Sequence, residues 1–148
     1  MGRTIALGTL VAGTLDILFA VILSLLFGRE PAAMLRYVAS GPFPQATEWG
    51  AAGSALGLAT HFALMAVMAA VYVLIARARP ANLTMPVRAG IAYGLVTYVV
   101  MNLIVVPLRF GTPLPPKPIS IATQLFAHIV LVGIPIALVA ARRLASRP

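Results

Sequence analysis

Four side chains in this sequence could carry proton chemistry or hold a polar ligand away from bulk water: Asp16, His61, Asn102 and His128, one in each of four long apolar runs. Asp16 falls near the middle of the run from Thr4 to Phe27, in the segment Gly13-Thr14-Leu15-Asp16. An acid at that depth must be neutralised, paired or wet, because a carboxylate at the centre of a bilayer costs about 2.5 to 3.5 kcal/mol even on the mildest scale. No Lys or Arg lies within the central part of any run. The imidazoles are therefore its available partners, and an Asp–His pair with coupled protonation is the chemistry these residue types point to.

Other chemistry finds less support in the residues. Two histidines on different helices could ligate a haem axially, but no inward Arg stands near either one for the propionates. A His–His–Asp set with Asn could hold a divalent ion such as zinc, yet no sequence-local signature of the HxxxH kind accompanies it. Cysteine is absent, which removes thiolate nucleophiles, disulfides and Cys-ligated metal. Gly-rich phosphate loops, GxSxG elbows and paired catalytic carboxylates are missing too. The sequence thus assigns no catalytic residue, no cofactor and no particular metal, and an enzyme is not expected.

The elements that must position these four residues are set by composition. The 148-residue chain is 61% hydrophobic and 9% charged, with a mean hydropathy of +0.99, far from a soluble domain of this size. The net charge of +8 does not imply nucleic acid, because the basic residues sit at the ends of apolar runs and form no patch interleaved with aromatics. A first run of about 24 residues at about 1.5 Å each crosses a hydrocarbon core of about 30 Å. That length is too great for the apolar part of a signal peptide. The reading is one all-α transmembrane domain, residues 1–148, a four-helix bundle with spans at about 4–27, 54–76, 89–108 and 119–141.

Between the spans, Pro31 to Ser40 reads as a short interfacial helix between the first and second spans, most simply a connector, with Trp49 as an interfacial anchor. A hydrophilic turn joins Arg77 to Arg88. The third span is expected to stop where Pro107 and Arg109 interrupt it, and the segment from Gly111 to Pro118, with four prolines, is a stiff connector. Pro135 should kink the fourth span. Lys and Arg number seven on the side of the termini and four on the other, so both termini are expected to be cytoplasmic.

Placed by depth at about 1.5 Å per residue, His128 lies about 3 Å from the level of Asp16, and His61 and Asn102 about 6 Å. Each also belongs to a stripe of small or polar residues at helical spacing, the signature of a face turned to neighbouring helices. The second span gives Gly53, Gly57, His61 and Met65; the third Gly90, Gly94, Tyr98 and Asn102; the fourth Gln124 and His128; the first Gly13, Asp16 and Ala20. The expectation is a buried polar layer of Asp16, His61, Asn102 and His128, supported by Tyr98, Gln124 and Thr14. Two functions compete for it. The layer could bind or move protons, an ion or a small solute, in a homo-oligomer or beside a partner subunit within the lipid bilayer. Alternatively it is interhelical glue in an accessory subunit with no chemistry of its own; a haem- or metal-binding protein is the third reading.

The AGTLD segment ending at Asp16, the segment HFALMAVMAAVY from His61 to Tyr72, the pattern from Tyr93-Gly94 through Asn102 to Pro107-Leu108, and the Ala127-His128 pair resemble a group of small bacterial inner-membrane proteins. More distantly they are similar to the YagU-type inner-membrane family. The resemblance implies a helical integral fold in a bacterial inner membrane and aligns His61 and His128. It implies no activity, and the first helix with Asp16 departs from the YagU pattern.

Overall fold

Prolines open three of the helices and left-handed glycines follow two, in keeping with the backbone chemistry of the two residues. The computed structural model describes residues 1–144. Helix α1 is Gly2–Leu26, α2 is Pro31–Ala39, α3 is Gly50–Ala78 and α4 is the single turn Ala81–Thr84. Helix α5 is Pro86–Phe110 and α6 is Pro118–Leu144. A 3-10 segment, Pro44–Glu48, joins α2 to α3. Pro31, Pro86 and Pro118 stand at the first helical positions, where the missing N–H has no partner to lose. Gly28 and Gly111 follow α1 and α5 with φ of 65° and 63°, left-handed conformations that glycine adopts without strain.

The four long helices α1, α3, α5 and α6 are each long and apolar enough to cross a membrane. The protein is an all-α membrane helical bundle. Every span is longer than the sequence suggests, and α5 runs through Pro107 and Arg109 as far as Phe110. The reason is visible in the hydrogen-bond register. Residues Val99–Val105 in α5 and Ala127–Gly133 in α6 adopt wide π turns, each ending one residue short of a proline, Pro107 and Pro135. A proline removes one N–H and crowds the carbonyl four residues earlier, and a widened turn accommodates both. These two wide turns contain Asn102 and His128.

Packing is uneven around the bundle. Helix α1 lies against α3 on one side and α6 on the other, and α6 packs along α5. Gly94 of α5 meets the backbone of α6 so closely that a Cβ would lie 2.5 Å from the His128 carbonyl oxygen and 2.6 Å from Cα of Ile129. Helices α3 and α5, by contrast, do not pack along their length. Two ties hold them. At the level of Met68, Tyr93 Oη donates to the Met68 carbonyl at 2.7 Å, with the Tyr72 and Tyr93 rings edge to face at 5.1 Å. At the other end α2 acts as a strap.

That strap differs from the simple connector expected. Gly53 and Gly57 of α3 receive the backbone of Ala46 and Leu35, leaving no space for a side chain at either position, and Ser54 Oγ donates to the Ala32 carbonyl at 3.0 Å. From α2 the tie continues to α5. Arg109 donates through Nε to the Gly41 carbonyl and through Nη2 to the Ser40 carbonyl, both at 2.7 Å. The Tyr37 and Phe110 rings stack at 4.5 Å. The glycine stripe of α3 therefore serves a surface helix rather than another span.

Candidate functional site in the bundle interior

His61 is positioned by α3 and buried against α1. With a carbonyl as partner, its Nε2 must donate, and it does so to the Gly13 carbonyl at 2.9 Å. The absence of a side chain at Gly13 makes room for this approach, since a Cβ there would lie 2.6 Å from the Phe62 ring. One turn further along α1, Asp16 Oδ2 lies 3.8 Å from His61 Nδ1. This is ion-pair range but too long for a hydrogen bond. Because Nε2 keeps its proton for Gly13, Nδ1 is the ring atom that faces the carboxyl group.

His128 has a different environment. Its Nε2 lies 3.0 Å from Asn102 Nδ2, and its Nδ1 lies 3.2 Å from Thr97 Oγ1. Thr97 Oγ1 in turn donates to the Gly94 carbonyl at 3.0 Å. The chain is complete with a neutral ring: Asn102 donates to Nε2, Nδ1–H donates to Thr97, and Thr97 donates to the backbone. A second ring proton would need the Asn102 amide to turn over. Tyr98 completes the surroundings, edge to face with the imidazole at 6.1 Å.

The two histidines face one cavity. Asp16, Thr60, His61, Asn102, Gln124 and His128 all line a space of about 690 Å³, together with Met65, Met68, Met101 and further apolar side chains of α3 and α5. Helices α1 and α6 form its back wall, α3 and α5 its flanks, and Tyr37, Gly41, Pro42 and Arg109 its α2 end. Partial burial raises the pKa of the Tyr37 hydroxyl above its ordinary value, with the Arg109 guanidinium opposing the rise. The phenol is thus a neutral donor at that end.

The polar layer expected from the sequence is therefore brought together, with one exception. Asp16, His61, Asn102, Gln124 and His128 share the cavity and Tyr98 supports His128. Thr14 is exposed on another face of α1 and belongs to no part of the site, because adjacent helical residues point about 100° apart. Thr97 is the residue that sequence reasoning missed. The regular i, i+4 stripe passes through Tyr98 to Asn102, whereas Thr97 and Asn102, five residues apart, both reach the His128 ring. The signal available was Pro107, whose position inside an apolar run calls for a widened turn.

The donor set does not fit a haem held by two axial histidines. Both ring nitrogens of His128 and Nε2 of His61 are committed to protein partners. Among the described residues no group of three or more His, Asp or Glu side chains gathers around a common point. No protein-family model, curated protein or solved structure matches the chain. Its function is argued from the cavity alone.

Proposed function

We propose that this is a bacterial inner-membrane protein, with both termini cytoplasmic, that binds a small solute or ion inside the bundle and exchanges a proton as it does so. One observation carries the reading: Asp16, His61, Asn102, Gln124 and His128, from all four spans, line a single cavity. A cavity of about 690 Å³ is in the size range of small-molecule sites. Ionisable residues at membrane depth mark ligand or proton pathways more often than packing. The Asp16–His61 pair is the proton-exchanging element. The neutral Asn102 and Gln124 amides supply orientation by hydrogen bonding, with His128 holding the Asn102 amide in place.

Infrared difference spectroscopy of the lipid-embedded protein, titrated over about pH 5 to 8, tests this. Wild type should show a carboxyl band that changes together with imidazole bands, and Asp16→Asn should lose the carboxyl change and alter the imidazole response. A wild-type spectrum in which no carboxyl band responds to pH defeats the proposal. A thermal-shift screen of metal ions and small amphiphiles at both ends of that range would then identify the ligand class, with Asp16→Asn as the reference.

A second reading is favoured by the completeness of the His128 network, which ties α5 to α6 whether or not a ligand is present. On it the protein is an accessory subunit without chemistry of its own. Asp16→Asn would then be silent, and purification in mild detergent would recover a stoichiometric membrane partner.

A further inference from the structure

The cavity has a side that no helix covers, and its position says where a ligand comes from. Among the described residues, helices α3 and α5 are tied through Tyr93 and Met68 towards one end and through the α2 strap at the other. Between those ties the cavity is flanked by Leu64 and Val67 of α3 and Val105 of α5, which are 38%, 60% and 42% exposed. These lips lie at membrane depth and are apolar. Water has no favourable route across them, but a lipid-dissolved molecule does.

The floor specifies the head of such a molecule. Among the described residues Arg109 is the only Lys or Arg lining the cavity; it sits at the α2 end, with Nε and Nη2 already given to the Gly41 and Ser40 carbonyls respectively. The Asp16 carboxyl faces the His61 ring at 3.8 Å, so each already has its partner within the protein. An ionic head on the floor would therefore stand without a counter-ion in a low-dielectric site. Asn102 retains its side-chain carbonyl and one N–H beyond the bond to His128, and Gln124 offers an amide beside it. These neutral donors and acceptors match oxygen atoms of a carbonyl or hydroxyl group.

Resting on the cavity being a binding site, we propose that the α3–α5 gap is a lateral opening through which an uncharged, membrane-dissolved amphiphile enters, its carbonyl- or hydroxyl-bearing head on the polar floor and its apolar chain between the lips.

The test uses the full chain in nanodiscs of phosphatidylethanolamine and phosphatidylglycerol. The probes are three photoreactive diazirine amphiphiles of equal chain length, bearing an alcohol, a carboxylate or a trimethylammonium head. The alcohol should label α3 and α5 peptides around Val67 and Val105 saturably, in competition with unlabelled alcohol. Val67→Trp, on an exposed lip and remote from the polar floor, should abolish the saturable fraction while leaving the titration of the Asp16–His61 pair unchanged. That separation distinguishes failure of this proposal from failure of the proton-exchange reading. Uniform, non-saturable labelling that reaches the lipid-facing Leu18 and Ile22 of α1 equally would overturn it. So would stronger saturable labelling by either charged probe, or a Val67→Cys variant that cross-links quantitatively to a second copy across the gap.

Discussion

Tyr72 carries a buried hydroxyl with no hydrogen-bond partner among the described residues, although its ring fills the core against Tyr93. Removing that oxygen should relieve a desolvation cost, so Tyr72→Phe is expected to stabilise the protein by about 1 kcal/mol. Unfolding in mixed micelles would show it, and a clear loss of stability would mean that the hydroxyl has a partner in the lipid-embedded protein. His128→Leu has the opposite effect, since Thr97 and Asn102 both lose a partner. A cost of about 1 to 2 kcal/mol fits interhelical hydrogen bonds in membranes. Equal stability of the variant would rule out the network as a structural tie. For the Asp16–His61 pair the contrast lies in pH response. Wild-type stability should vary with pH more steeply than that of Asp16→Asn.

Helices α5 and α6 owe their contact to glycine and to their wide turns, and each makes its own prediction. At Gly94 a side chain would meet backbone, which cannot step aside as a flexible side chain can. Gly94→Leu should cost about 3 kcal/mol or more and separate α5 from α6, read as loss of the folded species in size-exclusion chromatography. Gly57 faces the backbone of Leu35 in the strap rather than a span. Gly57→Leu should therefore release α2 while the four spans remain folded. Cysteine pairs between α2 and α3 that cross-link in the parent would fail to do so in this variant. Were Gly57→Leu to unfold the whole chain instead, α2 would be part of the core and not a strap.

For the molecule as a whole, four spans put the two ends of the described chain on the same side, and Arg77 Nη1 meeting Met1 Sδ at 3.0 Å places the start of α1 beside the end of α3. Of the basic residues counted from the sequence, the seven near this end include Arg147, which lies outside the described residues. The charge bias predicts a cytoplasmic location for that end. A fluorescent reporter fused after Pro148 should light up, and alkaline phosphatase inserted between Gly111 and Lys117 should be active. The reverse pattern would invert the topology. Lateral access to the cavity does not depend on which side is which.

The four spans were legible because hydrophobic length is a local property, read directly against the thickness of a bilayer. The depth of Asp16, His61, Asn102 and His128 followed from the same arithmetic, since a helix converts residue number into height at a fixed rise. Helical spacing also marked the glycine faces, at Gly57 as at Gly94. What spacing cannot convey is which neighbour a face meets, and so Gly57 turned out to receive α2. Thr97 was hidden and Thr14 misassigned for related reasons. A widened turn changes the angle between residues without changing their count, and a residue adjacent to the site in sequence points elsewhere on a helix. Only the tertiary structure decided that α3 and α5 stand apart, because that gap depends on how four helices share their neighbours. No single helix carries a record of it.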